Sequence, residues 1–314
     1  MLQISADDLN SLLDYPSLVN AIDDAFRSDV TVPVRHHHTL PVEAGQDATL
    51  LLMPAWNADK YTGVKIVMVT PDNAALGNPA VNGTYQLFDR LSGKPLALID
   101  GAVLTARRTA SASALASRYL SRPDTRHLLV VGTGVLAPHL VRAHASQRPI
   151  EQVTIWGRSL EKAQQIAEQL SDLNLNCQAT DKLEPAVKDA DLISCATLSK
   201  QPLIKGDWLQ QGQHVDLVGG FTPLMREADD QCLIRSQVFA DTRAGAMIEA
   251  GDLCDPLARG VISEKDVRAD LFDLARGTHT GRANSGEITL FKSAGTAIED
   301  LAGACLAYER KSAV

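Results

Sequence analysis

The chain has 314 residues, 45% hydrophobic and 22% charged, the balance of an ordinary globular protein with room for about two domains. A net charge of −8 and a pI near 5.5 argue against nucleic acid or an anionic membrane as the main partner. No apolar run approaches the ~18 residues of a membrane span, and "MLQISADDLN" lacks the basic–apolar–small layout of a signal peptide. The five cysteines, Cys177, Cys195, Cys232, Cys254 and Cys305, are odd in number and form no CxxC pair. That usage predicts reduced thiols in a cytoplasm and no structural zinc.

The first 120 residues read as strands joined by turns, with little helix between: "TLLLMPAWN", "TGVKIVMV" and "GTYQLFDRLSGKPLALID". In "RHHHTL" neighbours on an extended chain alternate sides, so only His36 and His38 can converge. No acidic or cysteine ligand lies close in sequence, and no metal is expected there. One of these histidines could donate a hydrogen bond to substrate. A small-residue helix, "AVLTARRTASASALASRYL", leads into the second half. From Leu128 onward "LLVV", "VTIW", "LISCAT", "HVDLVGG" and "QVFAD" alternate with helical segments such as "LEKAQQIAEQL". Strands apolar throughout suit a parallel sheet covered on both faces, hence a doubly wound α/β domain. The final "GTAIEDLAGACLAYERK" is an amphipathic helix expected to pack back on the first domain. The expected organisation is therefore 1–120, completed by 296–314, and 121–295.

"HLLVVGTGVLAPHL" carries the first chemistry. A lone glycine pattern is weak, but here a strand precedes it and a helix follows. Gly132 permits the tight turn, Thr133 follows it, and Gly134 lets the backbone approach a pyrophosphate. Val135, Leu136 and Ala137 open the helix whose amides meet the negative charge. Ala137 replaces the third glycine, where small size serves helix–strand packing. About 20 residues past the turn, where an acidic residue would hold an NAD ribose, stands Gly157, followed by Arg158 and Ser159. Arginine offers a fork to a 2′-phosphate and serine a hydroxyl at a helix start. The expected cofactor is NADPH, with NADH possible.

"GVKIV", "DGAVLTARRTASASALASRYL", the GTGVLA turn, "DLVGGFTPLMREAD" and "FKSAGTAIEDLA" together resemble the ornithine cyclodeaminase/mu-crystallin family over nearly the whole chain. The resemblance implies a Rossmann-type doubly wound parallel sheet plus a second α+β substrate and dimerisation domain, assembled as a homodimer. It places three basic side chains on the substrate carboxylate: Arg35 in "VPVRHHH", Lys65 in "GVKIV" and Arg108 in "ARRTA". Arginine suits that task because its fork matches a carboxylate. Arg107, adjacent on the helix, does not share the face of Arg108. Thr84 is counted with them as a candidate catalytic residue, and Thr197, Val218 and Gly219 as candidate cofactor contacts.

Where the family's cyclodeaminase and alanine dehydrogenase carry an aspartate after "VGG", this chain has Phe221. A phenyl ring cannot accept a proton or hold an ammonium group by charge. The resemblance then points to NADPH-dependent reduction of a small cyclic α-imino acid, Δ1-pyrroline-2-carboxylate or its six-membered analogue. The other readings are a cyclodeaminase or alanine dehydrogenase of the same family, and a non-catalytic NADPH-binding protein like mu-crystallin. Cys195 reads as a small core residue, and Asp216 is assigned no role.

Overall fold

The computed structural model describes residues 1–43, 45–58 and 60–313. The chain divides into two compact units, Met1–Arg108 with Thr296–Val314, and Thr109–Gly295. The division falls inside a helix rather than at its end near residue 120, so the helix contributes residues to both units.

In the first unit a strand, β1 (Leu2–Ile4), is followed by two helices, α1 (Ala6–Leu12) and α2 (Tyr15–Arg27). Both helices depart from the strand-rich reading of this segment, and both have side-chain caps. Ser5 and Asp8 form a capping box at the start of α1, and Asp14 accepts from the Ser17 amide at the start of α2. Leu18, Ile22 and Phe26 recur at i+4 on α2 and are fully buried. Strands β2 (Val30–Thr31), β3 (His36–Leu40), β4 (Ala48–Asn57), β5 (Tyr61–Val69), β6 (Val81–Asp89) and β7 (Pro95–Asp100) complete the sheet. Its order is β1-β7-β6-β5-β4-β2, with β3 also on β4; β4 to β7 form an antiparallel meander, and β1 lies parallel to β7.

The helix α3 (Gly101–Leu120) crosses the division. The second unit then alternates strand and helix: β8 (His127–Val131), α4 (Leu136–Ala145), β9 (Gln152–Trp156), α5 (Leu160–Glu168), β10 (Asn176–Thr180), α6 (Leu183–Asp189) and β11 (Leu192–Cys195). It continues through β12 (His214–Leu217), α7 (Asp230–Arg235), β13 (Gln237–Ala240), α8 (Arg243–Glu249), α9 (Gly251–Ala258), β14 (Val267–Asp270), α10 (Leu271–Ala275) and β15 (Thr289–Lys292). Every pairing is parallel, in the order β10-β9-β8-β11-β12-β15-β13-β14. Alternate residues of β8 feed opposite faces: Leu128 and Val130 pack with Val141 and Ile166, Leu129 and Val131 with Val187 and Val215. That is why the strand is apolar at every position. The last helix, α11 (Ala297–Ser312), belongs to the first unit and packs on α2, β4 and β5. Among the described residues no helix is long and apolar enough to cross a membrane.

The carboxyl end of α3 is closed by arginines far away in sequence. Arg148 donates to the Ser117 and Arg118 carbonyls at 2.8 and 2.7 Å, and Arg282 to that of Leu120 at 2.6 Å. The guanidinium of Arg282 also reaches the carbonyls of Gln213 and Glu287. Helix ends leave carbonyls unpartnered, so removing this fork strands several at once. Arg282→Met should therefore lower the stability of the second unit by about 3 kcal/mol in urea unfolding.

Candidate active site

In the second unit the chain turns sharply after β8. Gly132 has φ +127°, a conformation side chains rarely adopt, and a Cβ there would lie 2.6 Å from the Ala196 carbonyl oxygen. Gly134 differs, since a Cβ built on it meets nothing within 4 Å. No neighbour in the protein demands glycine at 134, which fits a position where the protein backbone can approach a pyrophosphate. Val135, the N-cap of α4, is 76% exposed and makes no side-chain cap; the Ala137 amide already donates to the Gly134 carbonyl and Pro138 has no N–H, so an anion there would meet the amides of Val135 and Leu136. Ala137 is buried in the core with Val141, where only a small residue fits.

A cavity of about 480 Å³ opens here, lined by Gly132, Thr133, Gly134, Arg158, Thr197 and Ser199 among others. It lies at the carboxyl ends of β8, β9 and β11, where the strand order reverses, the usual ligand crevice of such sheets. The residues fit a dinucleotide. At Gly157 a Cβ would be 2.6 Å from Thr133 Cγ2, so any side chain at that position would have to displace Thr133. Arg158 is exposed, while Ser159 caps α5 by accepting from the Lys162 amide. Leu136 is half-buried at the helix start. Val218 and Gly219 do not line the cavity described above; they are buried behind Thr197, with a Gly219 Cβ only 2.0 Å from its carbonyl oxygen. Phe221 is 46% exposed. Cys195 is a core residue whose thiol burial pushes well above its usual range. Asp216, fully buried, accepts from Ser113 and Ser194 and adjoins His144, a structural role away from the cavity.

In the first unit two of the predicted cations, Lys65 and Arg108, share one buried ion cluster. Lys65 is buried on β5, its ammonium 2.8 Å from Asp300. Arg108, also buried, reaches Asp300 through Nε at 2.9 Å and Glu299 through Nη1. Burial pushes the Lys65 ammonium down to about 8; the charge of Arg108 and, further away, Arg35 add to this, and Asp300 opposes it. Arg107 points elsewhere, donating to the carbonyls of Leu13 and Asn10. Thr84 does not join them. It pairs with Ile66 while Tyr85 pairs with Lys65, and alternation sends its side chain to the opposite face of the sheet. His36 and His38 lie on the exposed strand β3 with ring centroids 6.4 Å apart. Among the described residues, no group of three His, Cys, Asp or Glu is placed to hold a metal. Glu299 and Asp300 were not singled out from the sequence.

The second unit thus has the architecture of a dinucleotide-binding α/β domain, and the other unit of the chain holds a buried cluster of two cations and two carboxylates. The chain belongs to the ornithine cyclodeaminase/mu-crystallin family, whose profile matches residues 2–314. An uncharacterised protein of Schizosaccharomyces pombe is 46% identical, covering 98% of this chain and 96% of its own. A Delta(1)-pyrroline-2-carboxylate reductase of Paracoccus denitrificans is 39% identical, over 87% of this chain and 89% of its own. Among solved structures, the Thermococcus litoralis Delta(1)-pyrroline-2-carboxylate reductase in complex with NADH and L-proline is 33% identical. It superposes with a TM-score of 0.93 over 100% of this chain and 98% of that one.

The ion cluster has a direct consequence for stability. Arg108→Met leaves Glu299 and Asp300 buried with one cation fewer and should cost about 3–5 kcal/mol in chemical unfolding. Arg108→Lys keeps the charge but cannot bridge both carboxylates, and should fall between that variant and the wild type.

Proposed function

We propose that this chain reduces Δ1-pyrroline-2-carboxylate to L-proline, and its six-membered analogue to L-pipecolate, with NADPH preferred over NADH. The observation that carries the reading is the buried pair Lys65 and Arg108, braced by Glu299 and Asp300, with the charge of Arg35 adding to the field at Lys65. Cations already held in place offer a substrate carboxylate N–H donors without reorganisation, and orient the ring that bears it. Gly132, Thr133 and Gly134, with the first amides of α4, would hold the pyrophosphate; Thr197, backed by Val218 and Gly219, would face the other half of the cofactor. The nicotinamide supplies the hydride when bound. The ring nitrogen arrives protonated, so hydride at the adjacent carbon turns C=N⁺ into a secondary amine and no base is consumed. Phe221 supports reduction over deamination, since it offers no carboxylate to hold or deprotonate an amine. The sheet face pointing away from Lys65 carries Leu50, Leu52 and a 39% exposed Ile66, which supports a homodimer.

Arg158, exposed beside a position that carries glycine rather than an acidic residue, supports the NADPH preference. The test is NADPH absorbance decay with Δ1-pyrroline-2-carboxylate, against pyruvate plus ammonia. Rapid decay with the cyclic imine alone is expected, and ammonia release from L-ornithine at a comparable rate would overturn the reading. Arg158→Ala should raise KM for NADPH about tenfold or more, the worth of a charge-assisted contact, and leave that for NADH nearly unchanged. Equal effects on both cofactors would contradict the assignment.

A further inference from the structure

Behind Thr197 lies a buried carboxylate that the reaction above does not use. Glu227 is fully buried, and its two oxygens divide four donors between them. Oε1 accepts from the Thr197 amide at 2.6 Å and its hydroxyl at 2.9 Å. Oε2 accepts from the Gly219 amide at 2.7 Å and the Gly220 amide at 3.3 Å. The carboxylate is itself anchored: Asp252 accepts from the Glu227 amide at 2.7 Å, and the Lys292 ammonium stands 3.1 Å from Asp252 and 3.9 Å from Glu227. A Cβ on Gly220 would meet Asp252 at 2.7 Å, so the loop after β12 is drawn tightly onto this cluster.

The two loops so tied follow β11 and β12. A pyrophosphate over the β8 turn sends the adenosine half toward β9 and Arg158, and the nicotinamide half toward β11 and β12. Resting on that dinucleotide reading, we propose that Glu227 is a positioning residue: by clamping Thr197 to Gly219 and Gly220, it sets the wall against which the nicotinamide half lies. A carboxylate is the group that does this, because each oxygen must accept and neither may donate. In Glu227→Gln the amide nitrogen faces one donor pair, and that loop loses its acceptor.

The same geometry makes the wall sensitive to protons. Burial, reinforced by Asp252 and opposed by Lys292, raises the Glu227 carboxyl to about 7. The groups facing it are Lys292 on β15, Asp252 on α9 and the Cys195 thiol on β11, the last pushed well up by burial and so neutral. Below pH 7 a proton occupies one oxygen, and the clamp weakens.

The experiment measures binding of NADH and of ADP-ribose, which lacks the nicotinamide, by fluorescence and calorimetry to the full chain. Glu227→Gln is expected to weaken NADH about tenfold or more and to leave ADP-ribose within about twofold, with KM for the imine unchanged at saturating NADH. Lys292→Met should show the same pattern. If these variants fail to fold, the wild type still decides: NADH affinity should fall several-fold from pH 8 to pH 6 while that of ADP-ribose stays flat. Equal effects on both ligands, or none on either, would overturn the proposal. A wild type that binds neither would overturn the dinucleotide reading and the proposal with it.

Discussion

The constraint on which the first unit turns is that Lys65 and Arg108 are buried cations. An ammonium or guanidinium taken out of water without a partner costs more than a domain's net stability can absorb. Glu299 and Asp300 meet them from α11, a helix 191 or more residues further along the chain. This pairing gives the chain's last helix a reason to close the first sheet, although the whole second unit intervenes in sequence. It also explains why the helix carries two adjacent acids on a stretch that is otherwise small and apolar.

The second unit repeats the device with the signs exchanged. There the buried carboxylate of Glu227 gathers backbone amides, and Lys292 with Asp252 anchors it. Buried ion clusters are poor sources of net stability, because desolvation offsets much of the attraction. On the proposed reading, their value lies in fixing groups that a ligand must find in place: cations for a carboxylate in one unit, loop walls for a dinucleotide in the other.

What could be read in the sequence follows from how local each signal is. The apolar strands β8, β9, β11, β12 and β13 stand out because both their faces are covered, and the Gly132–Gly134 turn follows directly on one of them. β10, reading "NCQAT" at the edge of the sheet, and the short β14 have no such pattern and escaped notice. The helices α1 and α2 are short beside the strand-rich segment that follows, and their local marks are only the caps Ser5 and Asp14. Arg35, Lys65 and Arg108 are named by the family resemblance alone, and the structure places Lys65 and Arg108 in one buried ion cluster. Thr84 lost its place to strand alternation, which puts it on the face opposite Lys65. Glu227, Lys292, Glu299 and Asp300 could not be found by pattern, since what marks them is a partner distant in sequence.

The central claim is that the Lys65–Arg108 cluster receives a carboxylate, and the depressed Lys65 ammonium offers the most direct test. Pyrrole-2-carboxylate is a planar analogue whose charge is constant between pH 6 and 10, so any pH dependence of its inhibition belongs to the protein. With Lys65 losing its proton at about 8, the inhibition constant should be flat below that pH and rise above it, approaching tenfold per pH unit. Lys65→Met should bind weakly at every pH. A wild-type inhibition constant that stays level from pH 7 to pH 9.5 would contradict the account.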